Sequence, residues 1–278
     1  MRQQTSRATV AQRQRIGALR PRWTREAQMR RPAAGRSCSF DHVAVAVGVV
    51  ERIWRYPVKS VGGELVERAD VDERGLVGDR LYAVRDAEGR FGSGKNTRRF
   101  RRMAGLLELR SRYRDHSPRP ELLDPRGAVV ADPTAYVRGY LGRDDVEVAR
   151  EAAVSHFDQL PLSVLTTATL DWVRAAVPGV PVDERRFRPN LLVRTPPGTP
   201  PFVEDEWLGS TARIGSTLSV EFVRSSERCV MVNEAQHDLP RSPLVLRAVA
   251  RGHQNRLDAL ATVARPGAVQ VGDIVTVA

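Results

Sequence analysis

The feature that most constrains the fold is a series of short apolar segments separated by turn residues. From residue 47 onward, turn pairs such as Gly62-Gly63 and Glu88-Gly89 divide runs whose patterns suit strands. The predicted strands cover residues 47–54, 65–72, 80–85, 106–112, 146–150, 162–165, 191–193, 217–224, 229–232, 260–263 and 268–277. This rhythm predicts a mostly β protein, with a small N-terminal β-rich domain followed by a β-barrel-like domain with peripheral helices.

Helix signals are few and stand at the borders of the strand pattern. Asp132 is a suitable N-cap for a helix that has Pro133 in its first turn. A second helix follows a threonine cap, Thr166 or Thr167, and ends before Pro178-Gly179. The predicted helices cover residues 133–141, 167–177 and 243–251.

The positive charge of the chain is concentrated in its first residues. The sequence has 44 basic and 33 acidic residues and a formal net charge of +11. Ten of the arginines, but only one acidic residue, Glu26, lie in residues 1–36, which leaves a charge of only +2 for the rest. A folded part this close to neutral does not favour nucleic acid as a partner.

Residues 1–46 are predicted to be a disordered Arg-rich leader, because apolar residues and helical periodicity are scarce there. A start site placed upstream of the native one, a transit-like peptide, and a tail that contacts nucleic acid or membrane are all compatible with this composition. Two folded domains are expected to follow, over residues 47–152 and 153–278.

Several classes of protein are excluded by composition. No uninterrupted apolar run reaches about 18 residues, so no membrane span is predicted. Only two cysteines are present, which excludes a disulfide-rich secreted scaffold. The expected location is therefore the cytoplasm.

One segment imitates a phosphate-binding loop. Gly89 to Asn96 approximates G-x-x-x-x-G-K-[ST], with Asn96 in the position of the hydroxyl residue. Such a loop needs a buried parallel strand before it and a helix after it, whereas Asp86 to Gly89 predicts a hairpin turn. Nucleotide hydrolysis is therefore not expected, and the four arginines of residues 97–102 are expected in a solvated turn or an anion-facing rim.

The histidines have no spacing typical of a zinc site, and each is expected at the surface or in a loop. His237 follows Cys229 by eight residues, but no oxyanion-hole pattern accompanies the pair, so a Cys/His hydrolase is not favoured. The five histidines are His42, His116, His156, His237 and His253.

Cys229 is the only cysteine in the predicted folded part, because Cys38 lies in the leader. A single thiol excludes an internal disulfide and a tetrathiolate metal site. Cys229 is therefore either an inert core residue or a single soft metal ligand or nucleophile. The residue by itself leaves these alternatives open.

Two basic motifs stand beside predicted strands. Arg55-Tyr56-Pro57-Val58-Lys59-Ser60 ends one strand and presents Lys59 and Ser60 at a sheet edge. Arg186-Phe187-Arg188-Pro189-Asn190 precedes another, and Pro189 favours an extended backbone at Arg188. Taken separately, each motif also fits an ordinary strand end with charged flanks.

Taken in order, four motifs resemble the MOSC family, the domain also found at the C-terminus of molybdenum cofactor sulfurase. The motifs are Tyr56-Pro57-Val58-Lys59-Ser60, Gly78-Asp79-Arg80, Arg186-Phe187-Arg188-Pro189-Asn190 and Arg228-Cys229. The resemblance spans about residues 47–278 and implies a MOSC N-terminal β-rich domain in 47–152 and a MOSC domain in 153–278. It further implies that the protein binds the molybdenum cofactor, molybdopterin.

Within this family the chain resembles the mitochondrial amidoxime reducing component, which implies an oxidoreductase that reduces N-hydroxylated compounds. The matching cysteine, Cys229, would ligate molybdenum, because a thiolate is a soft ligand. Arginine suits the phosphate of the cofactor, because its planar fork donates paired charge-assisted hydrogen bonds. The resemblance implies the cofactor-binding residues Lys59, Ser60, Arg80, Arg188, Asn190, Arg228 and Cys229.

The resemblance also implies partners. A small N-hydroxylated substrate is expected, and electrons are expected from a separate small haem or iron–sulfur protein with a flavin reductase, because two cysteines cannot hold an iron–sulfur cluster. The alternative is a non-redox cofactor carrier or sulfur-transfer protein with a persulfide on Cys229. Its pyridoxal-phosphate-dependent sulfur donor would then be another protein.

Overall fold

The computed structural model describes residues 44–114 and 117–278. Regular structure in these residues is mostly β, as the sequence predicts. All but the last three residues of the predicted disordered leader lie outside the described residues. Two histidines, His42 and His116, lie outside them as well.

The described strands are short, apart from three that belong to the barrel. The first nine are β1 (Val45–Arg55), β2 (Val58–Lys59), β3 (Glu64–Val66), β4 (Arg68–Asp72), β5 (Gly75–Leu76), β6 (Tyr82–Asp86), β7 (Phe91–Ser93), β8 (Phe100–Arg102) and β9 (Arg110–Arg112). The next nine are β10 (Glu121–Leu123), β11 (Val146–Arg150), β12 (Leu162–Thr166), β13 (Leu191–Arg194), β14 (Thr211–Ile214), β15 (Leu218–Glu227), β16 (Arg256–Arg265), β17 (Gly267–Gln270) and β18 (Ile274–Val277).

Helices connect the strands at the periphery. The α-helices are α1 (Pro133–Leu141), α2 (Thr167–Ala176) and α3 (Leu244–His253), and the 3₁₀ segments are Leu106–Glu108, Glu184–Arg186, Val203–Trp207 and Val230–Asn233. Among the described residues, no helix has the length and apolar character that a membrane crossing requires.

Seven strands close into a barrel in the order β13, β12, β16, β15, β14, β18 and β1. The ring closes because β1 also pairs with β13, with Val50 opposite Val193. Closure leaves no barrel strand with a free edge. Large buried side chains such as Phe222, Ile214 and Trp207 fill the apolar core of this part of the chain.

The first barrel strand comes from the N-terminal part of the chain. β1 lies between β18 and β13, although it precedes the predicted domain boundary by about a hundred residues. The barrel therefore draws one strand from the region assigned to the smaller domain. The boundary itself, between residues 152 and 153, stays a prediction.

A smaller sheet holds the loops that carry the first basic motif. Its strands run in the order β11, β6, β7 and β8, and β2 pairs with β6 in parallel. Val137 of α1 packs in the core of this sheet. The helix begins at the predicted cap, where the Asp132 side chain accepts a hydrogen bond from Ala135 N at 3.0 Å, and the residues 133–141 predicted to be helical are confirmed.

A 3₁₀ segment takes the place of the first part of one predicted strand and of most of another. Residues 106–109 turn after Gly105, whose φ of 88° starts Leu106–Glu108, and only Arg110–Arg112 is a strand. Residues 229–232 are also not a strand, because β15 ends at Glu227 and the chain turns into Val230–Asn233. Asn233 Oδ1 holds this turn by accepting a hydrogen bond from Leu246 N at 3.0 Å.

Other differences concern strands that sequence reasoning missed or merged. β14 was not predicted, although its alternation of exposed and buried residues is that of a half-buried strand. The predicted strand over residues 268–277 is two strands, β17 and β18, separated by a turn at Gly272 with φ of 93°.

Candidate functional site

A cavity of about 570 Å³ lies where loops of the smaller sheet meet the barrel, and is called the central cavity below. Its lining includes every residue that the resemblance implies for cofactor binding: Lys59, Ser60, Arg80, Arg188, Asn190, Arg228 and Cys229. These residues arrive from four separate segments: the end of β2, the loop before β6, the loop before β13 and the loop after β15. The fold thus brings all seven together.

Lys59 is a buried lysine on the cavity wall. Its Nζ donates to the backbone oxygen of His156 at 2.5 Å and to Asp158 Oδ1. Burial lowers the pKa of Lys59 to about 8, while the negative charge of Asp158 opposes this effect. The ammonium also lies 5.4 Å from the centre of the Phe100 ring, within cation–π range. Lys59 therefore carries a positive charge at neutral pH and loses it in mild alkali.

His156 lies behind this wall, in the loop between β11 and β12, and is buried rather than at the surface. Its side chain is only 1% exposed, and its Nδ1 lies 3.0 Å from the backbone oxygen of Arg80. Burial lowers the pKa of His156 to about 4, so the imidazole is neutral at physiological pH. A neutral buried ring can position the Arg80 and Lys59 loops without adding charge.

Three cavity residues have left-handed backbones. The φ angles are 62° at Ser60, 51° at Arg80 and 56° at Arg188. A non-glycine residue in this conformation costs about 1–3 kcal/mol, and such residues cluster where a ligand is held. The extended backbone predicted for Arg188 from Pro189 is therefore wrong, because the surrounding hydrogen bonds outweigh the local preference of a residue before proline.

Two arginines lie against the ring of Tyr56. The guanidinium of Arg80 lies 5.0 Å, and that of Arg188 4.1 Å, from the ring centre. Arg80 forms an ion pair with buried Asp79 and donates from Nη2 to the backbone oxygen of Arg188 at 3.1 Å. Arg188 Nη1 donates to Val61 O at 2.8 Å, whereas its Nη2 is buried with no hydrogen-bond partner among the described residues.

The proximity of two guanidinium groups has an electrostatic consequence. Burial, together with the positive charge of Arg80, lowers the pKa of Arg188 to about 10. Both groups stay protonated at neutral pH, so this wall of the cavity concentrates positive charge. An anion that contacted both would relieve their mutual repulsion.

Asn190 lines the cavity, but its side-chain amide is hydrogen-bonded to backbone groups of two barrel strands. Its Oδ1 accepts from Ser163 N at 3.3 Å, and its Nδ2 donates to Trp54 O at 3.3 Å. These bonds join β12 to β1 across the segment before β13. Asn190 therefore fixes the relative positions of two barrel strands beside the cavity.

Arg228 contacts the buried carboxyl group of Asp258. Its Nη1 is 3.1 Å from Asp258 Oδ1 and donates to Phe187 O at 2.9 Å, while Nη2 donates to Ser226 Oγ at 2.6 Å. Asp258 also accepts a hydrogen bond from the hydroxyl of Ser163, which lines the cavity. Burial raises the pKa of Asp258 to about 7, although the charge of Arg228 acts in the opposite direction.

A bulge in β16 produces this arrangement. Glu227 pairs with Arg256 and Ser225 with Ala259, so two residues of β16 oppose one of β15. Asp258 lies in this bulge with φ of 62°. Bulges are common beside functional sites, where they redirect a side chain.

Cys229 lies at the cavity wall with its thiol unbridged. The residue is partly exposed and extended, with φ of −128°, and precedes the segment Val230–Asn233. Met231, two residues later, accepts a hydrogen bond at Sδ from Gly94 N at 2.9 Å. The thiol therefore stands at the junction between the barrel and the smaller sheet, and the buried-core alternative is excluded.

The residues that resemble a phosphate-binding loop take another structure. Phe91–Ser93 is strand β7, and the chain continues into strand β8 where such a loop would lead into a helix. Lys95 nevertheless lines the central cavity, with its Nζ 3.9 Å from Asp158 Oδ2.

Comparison with known families decides the identity of these domains. The sequence matches the MOSC domain family over residues 151–276 and the MOSC N-terminal beta barrel domain family over residues 47–115. The chain contains both domains. MOSC domains are associated with binding of the molybdenum cofactor. No curated protein sequence matches the chain.

Three solved structures match the chain, each with low sequence identity and a TM-score below 0.5. YuaD from Bacillus subtilis is 16% identical, with a TM-score of 0.48, and the match covers 83% of this chain and 95% of that one. YiiM from Geobacillus stearothermophilus is 16% identical, with a TM-score of 0.33 and coverage of 43% and 54%. A third structure, described only as a hypothetical protein, is 10% identical, with a TM-score of 0.40 and coverage of 85% and 69%.

Several residues of the central cavity were not predicted from the sequence. Asp158, Phe157 and Ser163 line it, but each lies in or beside a loop whose local pattern carries no functional signal. Asp258 was missed because it occupies an apolar strand in which a bulge, invisible in the sequence, turns it inward. A charged residue within an otherwise apolar strand was the one available indication.

The donor set of the cavity fits an anionic, phosphate-bearing group. Arg188 Nη2 and Arg228 Nε are buried without hydrogen-bond partners among the described residues. Buried donors of this kind are normally satisfied, so an acceptor from a ligand is the natural partner. Within residues 44–114 and 117–278 no three histidine, cysteine or acidic side chains gather as a metal site, and Cys229 is a free thiol.

Proposed function

We propose that the central cavity binds the molybdenum cofactor and that Cys229 ligates its molybdenum. The observation that carries this proposal is convergence: seven residues named from four separated motifs line one cavity of about 570 Å³. An accidental resemblance would not bring four distant segments to the same cavity. The MOSC domain match and the unpartnered arginine donors support the same proposal.

The chain's own residues suggest how the cofactor is held. Arg80 and Arg188, both held against the ring of Tyr56, provide a positive wall for anionic oxygens. Lys59 adds an ammonium group that Asp158 orients. Ser60 is 7% exposed and has a left-handed backbone, which presents its hydroxyl in the same region.

We further propose that the protein is an oxidoreductase that reduces small N-hydroxylated compounds with electrons from a separate donor protein. The cofactor, when bound, supplies the redox chemistry. The chain supplies the proton path, because reduction of an N-hydroxyl group to an amine releases water and consumes protons. The Ser163 hydroxyl lines the cavity and donates a hydrogen bond to Asp258, and rotation of this hydroxyl would let it relay a proton between that carboxyl group and the cavity.

Metal and pterin analysis of protein expressed in a cofactor-competent host tests the proposal. We expect the wild-type chain to contain molybdenum and pterin in nearly equal amounts. Cys229→Ala should lose most of the molybdenum, while Cys38→Ala, which removes the only other cysteine, should not. Folded wild-type protein without either component would contradict cofactor binding.

The same samples separate the redox function from the alternative carrier function. A sulfur carrier would show a mass increase of one sulfur atom on Cys229 that a reductant removes. A reductase would instead convert benzamidoxime to benzamidine with an artificial electron donor. Loss of this activity in Cys229→Ala, with no persulfide in the wild type, is the expected result.

A further inference from the structure

A second cavity, of about 500 Å³, adjoins the central cavity. It lies among residues 54–65, strand β9 and residues 236–238, and Arg188 lines both cavities. Cys229, Lys59 and Asp158 do not line it. The second cavity is therefore a separate space that shares one arginine with the proposed cofactor site.

Buried polar atoms without partners converge on this space. Tyr56 Oη, Gln236 Nε2 and His237 Nε2 are buried and have no hydrogen-bond partner among the described residues. Tyr56 is only 1% and Gln236 only 5% exposed, so neither side chain is free to turn outward. Buried polar groups are almost always satisfied, and three exceptions around one cavity indicate a polar ligand.

The charges around the second cavity favour an anion. Its two acidic residues are already paired: Glu64 with Arg55 at 2.9 Å and Asp238 with Arg185 at 2.9 Å. By contrast, Arg110 and Arg188 have no carboxylate partner among the described residues. The uncompensated charge at this cavity is therefore positive.

The unpartnered atoms are suited to donate. Burial raises the pKa of Tyr56, so its hydroxyl keeps its proton. Burial and the charge of Arg110 lower the pKa of His237, so this imidazole is neutral and retains one N–H. The Gln236 amide nitrogen can only donate. Donors of this kind match the oxygens of a carboxylate or phosphate.

The remaining lining is apolar and large enough for an organic body. Trp54, Leu65 and Leu107 contribute apolar surface to the same cavity. A volume of about 500 Å³ lies within the range of small-molecule sites, which are mostly apolar with a few placed polar groups. A bare inorganic ion would leave most of this surface unused.

We propose that the second cavity binds a small organic oxyanion, a carboxylate or phosphate ester, whose oxygens accept hydrogen bonds from Tyr56 Oη and Gln236 Nε2 beside Arg110 and Arg188. This site is independent of molybdenum. A ligand there shares Arg188 with the central cavity.

Isothermal titration of the full chain with benzoate and with phenyl phosphate tests the proposal, and the preferred probe identifies the oxyanion. We expect saturable binding of at least one of them and none of benzamide, which has the same ring without the charge. Tyr56→Phe and Gln236→Leu should each weaken binding about tenfold or more, since each removes a hydrogen bond to a charged group. Lys59→Met, which alters only the central cavity, should leave the affinity unchanged.

Thermal melting of the same variants separates a loss of ligand binding from a loss of stability. Because the Tyr56 hydroxyl has no partner in the free protein, Tyr56→Phe should not lower Tm without ligand, but should reduce the Tm increase that the bound probe causes. Absence of saturable binding by both anions would overturn the proposal. So would binding that Lys59→Met abolishes and Tyr56→Phe leaves intact, because the probe would then occupy the central cavity.

Discussion

Asp258→Asn should change the pH dependence of stability more than any exposed substitution. Asp258 is buried in the β16 bulge, where Ser163 donates to its carboxyl group and Arg228 Nη1 lies 3.1 Å away. Burial raises its pKa from 3.8 to about 7; Glu204 acts in the same direction, and Arg228 acts against it. The folded protein therefore binds a proton at Asp258 that the unfolded chain has already released at mildly acidic pH.

The magnitude follows from linkage between protonation and folding. At about 1.4 kcal/mol for each pKa unit, the displacement from 3.8 to about 7 corresponds to about 4 kcal/mol. Well below pH 3.8 both states are protonated and Asp258 causes no loss. As the pH rises to about 7, the unfolded chain ionises first, and the free energy of unfolding falls by up to this amount.

Urea denaturation of wild type and Asp258→Asn between about pH 4 and pH 8 measures this effect. The wild type should lose stability relative to Asp258→Asn as the pH rises, because asparagine cannot ionise. Asp171→Asn, a substitution at an exposed position on α2, is the matched control and should follow the wild type. Parallel curves for wild type and Asp258→Asn would show instead that Asp258 ionises normally in the folded state.

Three further predictions concern the walls of the central cavity. Asn190→Ala should destabilise the fold by about 2–4 kcal/mol in chemical denaturation, because two backbone groups lose their partners; an unchanged midpoint would rule out its structural role. Asp79→Asn should cost about 3 kcal/mol or more, because Arg80 would stay charged without its buried partner, and a loss as small as that of an exposed ion pair would contradict this. Pterin retention during dialysis should weaken above about pH 8, where Lys59 loses its proton. Lys59→Arg should abolish that pH dependence. Equal pH profiles for wild type and Lys59→Arg would show that the charge of Lys59 does not hold the pterin.

The parts of the fold with strong local signals were predictable from sequence. The α1 helix has its cap and its first-turn proline in the expected places, and it forms as predicted. The turn residues and apolar runs predict most barrel strands, and the predicted ends differ from the observed ends by a few residues. β14 was not predicted, because an alternating pattern of only four residues cannot be distinguished from a loop.

The candidate site was predictable only as a set of motifs. Family resemblance named seven residues, and the structure places them together, but no local pattern places Asp158 beside Lys59 or Asp258 beneath Arg228. These contacts join residues about a hundred and about thirty positions apart, so tertiary packing decides them. The left-handed backbone at Arg188 likewise depends on distant partners that outweigh the preference set by Pro189. The cytoplasmic location, the substrate and the electron donor stay predictions.

The proposed function depends above all on a Cys229 thiolate bound to molybdenum in the central cavity. X-ray absorption at the molybdenum edge counts the sulfur neighbours of the metal directly. We expect one sulfur ligand fewer in Cys229→Ser than in the wild type, with the pterin still bound by the arginine wall. An equal sulfur count in the two proteins, both loaded with cofactor, would contradict it.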